Sequence, residues 1–115
     1  MTESTQPAPD QPGVSGLSLF PPQLAAARRE IDQLDADLIG ILAKRFAVTR
    51  RIGQLKADLD LPSVDLVRQD EQVARIRILA VASEVDPDLA AAILHLIVTE
   101  VVRQHVEVRQ QSPAG

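Results

Sequence analysis

From Gln23 to Leu61 the chain contains no proline, and its apolar residues recur in alternating steps of three and four. Starting at Leu24, the steps reach Ala27, Ile31, Leu34, Leu38, Ile41, Arg45, Val48, Ile52, Leu55 and Leu59. This is a heptad seam with a single charged member, Arg45. Only Gly40 and Gly53 weaken the helical tendency of the stretch. A helix over about 23–59 is roughly 55 Å long at 1.5 Å per residue, longer than a compact domain of this size is wide. Such a helix needs a partner chain to cover its seam, although a returning third helix could cover part of it.

Pro62 ends this element. The stretch from about Asp65 to Ala82 sets Val67, Val73, Ile76 and Leu79 among charged residues, the pattern of a second, amphipathic helix. Asp86-Pro87-Asp88 then marks a helix start, with Asp86 as N-cap, proline in the first helical position and a further acid in the first turn. The third helix runs to about Gln110. There is no internal repeat and no alternating apolar pattern that calls for a strand. The fold class expected is all-α: one very long helix and two shorter ones per chain, intertwined with a second copy as a homodimer. Residues 23–111 form the helical domain. Residues 1–22 hold five of the eight prolines with Ser, Gln and Gly between them, a composition expected to stay disordered. Residues 112–115 are expected to fray.

Composition removes several function classes. The chain has 115 residues, a net charge of −4 and no cysteine. It therefore offers no disulfide framework, no thiolate metal site and no cysteine nucleophile, and neither a metal nor a cofactor is expected. The acidic balance argues against nucleic acid, whose backbone needs a basic face. Any anion site has to be local. Met1 to Phe20 has neither a basic n-region nor an apolar h-region, and nowhere do eighteen apolar residues run together, so a membrane is not an expected partner and the expected location is cytoplasmic.

A guanidinium on a heptad seam is costly unless it meets an acid or an anionic ligand. Arg45 could pair with Asp37 or Glu100. Alternatively it serves a ligand, and Lys56 favours this: eleven residues further on, it returns to within roughly 20° of the same face, about 16 Å along the axis. Two long cationic side chains reaching toward each other across that gap would hold a small molecule with carboxylates at its ends. Arg29, Arg50, Arg51, Arg75 and Arg77 read as solvated faces, and Glu30 and Asp37 as members of exposed helix pairs.

The run Arg28-Arg-Glu-Ile-Asp-Gln-Leu-Asp, followed by Leu42-Ala-Lys-Arg45 and by Ile52-Gly-Gln-Leu-Lys56, resembles the all-helical chorismate mutases and their pattern R-x-x-I-D-x-L-D, L-x-x-R, I-G-x-x-K. The likeness extends through Pro62, Asp65 and Arg68 to about Gln110. It implies a homodimer of three-helix chains with exchanged first helices, each site drawing one arginine from the neighbour. Arg28, seventeen residues before Arg45, lies roughly 100° off the Arg45 and Lys56 face, which fits service in a partner's site better than in its own. By the resemblance, the partner subunit's Arg28 and Arg45 clamp the two carboxylates of chorismate, Lys56 reaches the ether oxygen of the breaking C–O bond, and Asp65, Arg68 and Gln69 line the ring end. The implied reaction, the [3,3] rearrangement to prephenate in phenylalanine and tyrosine biosynthesis, needs no nucleophile, metal or proton transfer. It needs a folded substrate and donors where negative charge develops.

The third helix departs from the family. Val101 stands where many relatives have a small hydroxyl residue, and His105 where they usually have Gln or Glu facing the ether oxygen. His105 shares a stripe with Leu94, Val98, Val101 and Val108, so it is either a core or interface histidine or a catalytic donor to that oxygen beside Lys56. In the second case activity falls as pH rises through the imidazole pKa. Gln104 is the neighbouring candidate if the register shifts by one, and His95 reads as a surface or packing residue. The same cationic clamp would also suit an isochorismate pyruvate lyase or a mutase of an amino analogue of chorismate. A non-catalytic helical dimer or regulatory module is the third reading.

Overall fold

The computed structural model describes residues 21–111. Among these the chain is all-α, with α1 at Pro22–Asp58, α2 at Leu66–Ala82 and α3 at Pro87–Gln111. The expected disordered tail and frayed C-terminus fall on residues 1–20 and 112–115, outside the described residues. Pro22, assigned to the tail by composition, is instead the first residue of α1. Its lack of an N–H costs nothing there and its fixed φ suits the first turn. The carbonyl of Pro21 accepts from Leu24 and Ala25 at 3.0 and 3.3 Å, closing that turn.

The second and third helices start where local chemistry places them. Asp65, extended at φ −127° and ψ 96°, caps α2 by accepting the Arg68 N–H on its carboxylate at 3.0 Å. Asp86 caps α3 through the Asp88 N–H at 2.8 Å. Both α1 and α2 end in the same motif. Leu61 N–H reaches the Lys56 carbonyl at 2.7 Å and Asp60 N–H the Ala57 carbonyl at 3.2 Å, while Val85 and Glu84 reach Ala80 and Val81 at 2.8 and 3.2 Å. These are Schellman closures, and the residues at their left-handed positions are Asp60 (φ 56°) and Glu84 (φ 59°), not glycine.

The chain divides into two compact units at Ile41/Leu42. The first unit holds the start of α1, where the seam residues Ile31, Leu34 and Leu38 are 55%, 63% and 54% exposed. The second contains the rest of α1 with α2 and α3, and there α2 packs on α3. Among the described residues its buried side chains are few: Ala80, Leu94 and the polar His105. An exposed ion pair between Arg77 and Asp88, at 2.7 Å, links α2 to the first turn of α3. Among the described residues α3 alone is long and apolar enough, by length and composition, to cross a membrane. In this fold Leu94 is buried and Val98, Val101 and Val102 line a cavity, while Leu89, Ile93, Leu96 and Val106 are exposed.

Candidate active site

The second unit forms an open cavity of about 340 Å³, within the range of small-molecule sites. The α1 residues Arg45, Val48, Thr49, Ile52 and Lys56 form one wall. Steps of three and four keep all five on one helical face. The connection and α2 supply Ser63, Asp65, Arg68, Gln69 and Gln72, and α3 supplies Val98, Val101, Val102 and His105.

Three cations and one carboxylate therefore line the cavity, a local excess of two positive charges in a chain of net charge −4. Neither acid considered as a partner for Arg45 takes that part. Asp37 accepts from Gln33 at 2.8 Å, and Glu100 is engaged by Arg103 at 2.8 Å and by Gln104 at 2.9 Å. Among the described residues Arg45 and Lys56 have no salt bridge, and both are half-buried. Arg68 has only a loose exposed contact to Glu71 at 3.6 Å, and the Asp65 carboxylate spends one oxygen on the α2 cap. Half-buried cations without counter-charges favour an anionic ligand, because each otherwise loses hydration without compensation.

Of the residues singled out in the sequence, the structure brings together Arg45, Lys56, Asp65, Arg68, Gln69, Val101 and His105. Arg28 belongs to the first unit and is not among the lining residues. Val101 faces the cavity as a methyl-bearing wall and brings no donor.

His105 does not stand as the donor role requires. It is 4% exposed, and its Nε2 lies 2.8 Å from the carbonyl oxygen of Thr49. A carbonyl can only accept, so Nε2 carries the hydrogen and donates it to the α1 backbone. Nδ1 is buried and has no partner among the described residues. The Nε2 hydrogen is thus committed to Thr49, and His105 contributes its ring to the wall of the cavity. Gly53 makes this seat possible: a Cβ there would lie 2.4 Å from His105 Cδ2. Glycine lets the ring rest on the helix backbone. His95 is exposed, and Gln104 donates to Glu100 with its own Oε1 buried and unpartnered.

Thr49, Gln72 and Ser63 were not singled out in the sequence. Thr49 and Gln72 carried a usable signal, since Thr49 follows Arg45 by four residues and Gln72 follows Arg68 by four, which places each on the face of a named cation. Ser63 lies in an irregular connection and carried none.

Comparison with known sequences supplies independent findings. The profile of the family described as chorismate mutase type II matches residues 27–106. A T-protein of Enterobacter agglomerans is 33% identical over 78 residues, covering 68% of this chain and 21% of its own length, so the chain spans about a fifth of that relative. A chorismate mutase of Methanocaldococcus jannaschii is 26% identical over 76 residues, covering 66% of this chain and 77% of its own length.

Proposed function

The chain belongs to the chorismate mutase type II family, and from that premise we propose that it converts chorismate to prephenate in a homodimer whose cavities each hold one dianionic substrate. The observation that carries this reading is the pair Arg45 and Lys56, half-buried on one wall and without an acidic partner among the described residues. The substrate has two carboxylates, and the cavity's excess of two positive charges matches them.

The rearrangement is intramolecular. The ether C–O bond breaks as a C–C bond forms, electrons circulate through six atoms, and no group enters or leaves. Catalysis then reduces to two tasks. One is holding the substrate folded, so that the bond-forming carbons meet; Arg45 and the partner subunit's Arg28 would do this by binding one carboxylate each. The other is stabilising negative charge on the ether oxygen as the C–O bond stretches, and a fixed ammonium does so without rearranging at the moment of reaction. Lys56 takes that role. Asp65, Arg68 and Gln69 would hold the ring hydroxyl end, and Val98, Val101, Val102 and His105 exclude water from the reacting carbons.

The reading replaces His105 as donor with Lys56 acting alone. The test is chorismate consumption by the purified chain, followed by ultraviolet absorbance, with prephenate identified after acid treatment and Arg45→Ala as control. Prephenate that appears with the parent and not with the variant supports the proposal. Chorismate that persists with both sinks it, and release of pyruvate from isochorismate would redirect it to a lyase.

A further inference from the structure

Arg109 lies beyond the stretch matched by the family profile, in the last turn of α3. Its guanidinium nevertheless reaches back to the end of α1. Nη2 donates to the carbonyl of Leu61 and, at 3.3 Å, to the carbonyl of Lys56, while Nη1 lies 3.7 Å from the Asp60 carboxylate. These are not scattered contacts. Lys56 and Leu61 are the two residues joined by the long hydrogen bond of the Schellman closure, and Asp60 is its left-handed residue. One planar group thus gathers both ends of the turn that terminates α1.

The Lys56 carbonyl belongs to a residue that lines the cavity. It accepts from Leu61 N–H and from Arg109 together, so the backbone that carries this side chain is pinned from two directions. Leu61 precedes Pro62, which restricts it to extended backbone, and from there the chain runs directly to Ser63 and Asp65, both of them lining residues. The cationic fork also sits where the last carbonyls of α1 carry partial negative charge.

We propose that Arg109 is a positioning residue for the cavity: by bracing the end of α1 it fixes Lys56 on one side and the approach to Asp65 on the other. This rests on the mutase reading for its effect on turnover but not for the brace itself. Arg109→Met removes both hydrogen bonds and the contact to Asp60. Arg109→Lys keeps the charge but not the planar fork, so it can serve only one carbonyl well.

The experiment compares the parent, these two variants and Asp86→Ala, which removes the α3 cap without touching α1 and so serves as a control for lost stability. Steady-state kinetics on chorismate and amide hydrogen exchange at Leu61 are both measured. The expected result is a kcat lowered by about ten- to a hundredfold in Arg109→Met, the scale on which a misplaced catalytic group acts, with KM changing less. Arg109→Lys falls between, Leu61 exchanges faster in Arg109→Met, and Asp86→Ala keeps the parent's kcat. Unchanged exchange at Leu61, unchanged kcat in Arg109→Met, or an equal loss of kcat in Asp86→Ala each overturns the proposal. If the parent itself leaves chorismate untouched, the mutase reading has failed. The brace is then decided by exchange at Leu61 alone, faster in Arg109→Met if it stands and unchanged if it does not.

Discussion

At position 53 a methyl group would occupy space that the His105 ring already fills, 2.4 Å from Cδ2 and 2.9 Å from Nε2. The ring is buried and held by the Thr49 carbonyl, so it cannot swing aside without breaking that bond. Alanine gains about 1 kcal/mol over glycine as a helix former, while overpacking a tight site costs about 1–3 kcal/mol. Gly53→Ala is expected to be destabilising by about 1 kcal/mol in urea unfolding, the sign being set by the ring's anchorage. The same substitution in a His105→Ala background should be neutral or stabilising, and a double-mutant cycle that shows no coupling would sink this account. A second residue-level expectation concerns Glu100. Hydrogen bonds from Arg103 first, then from Gln104, hold its carboxyl down at about 2, below the usual 4.5. A carboxyl lowered on folding adds stability above its unfolded value, and that contribution is lost as pH falls from about 4.5 through about 2. Unfolding midpoints of the parent and Glu100→Gln should therefore differ most near neutrality and converge at the acid end. Both groups are solvent-exposed, so added salt should shrink the difference.

Helix ends show how much of the fold is written locally. Asp86-Pro87-Asp88 predicts the start of α3, and it starts there, because an N-cap and a first-turn proline act through neighbours two or three residues away. Pro62 follows directly on the closure that ends α1. The closures themselves are hidden from composition, since both use an acidic residue where glycine is the usual signal. Glu84 is the more costly of the two, lacking the short side chain that lets aspartate tolerate this region. Glu84→Gly is expected to raise stability by about 0.5–1 kcal/mol, read from the thermal or urea midpoint, with the α3 start unchanged. The lining of α1 was equally legible: Arg45 and Lys56 share a face by arithmetic alone. What α3 presents to α1 was not. Whether the His105 ring aims at the cavity or at Thr49, and whether Arg109 reaches the end of α1, depend on contacts between residues some fifty positions apart, which no periodicity encodes.

For the whole molecule the decisive fact is how little one chain buries. Ala80 and Leu94 are its only buried apolar residues among those described, while Ile31, Leu34, Leu38 and Ile41 lie open along the start of α1. Contiguous exposed apolar residues on a heptad seam mark an interface, and the proposed function assigns it to a second copy. Mixing gives the sharpest check. Chains carrying Arg28→Ala and chains carrying Arg45→Ala should each be inactive. If every site takes Arg28 from one subunit and Arg45 from the other, a mixed dimer has one site with both substitutions and one with neither. Random exchange makes half of the dimers mixed, so activity should return to about a quarter of the parent's value. No recovery after exchange, verified by co-purification of differently tagged chains, would remove the shared-site arrangement and leave the cavity to work within one chain.

The seat of His105 on Gly53 also binds two letters of the sequence to each other. The two are coupled: a side chain at 53 favours a smaller residue at 105, and a ring at 105 penalises any side chain at 53. Related sequences with glycine and histidine at these two places should share this docking of the third helix on the first, and those with a bulkier residue at 53 should have found another way to close the wall.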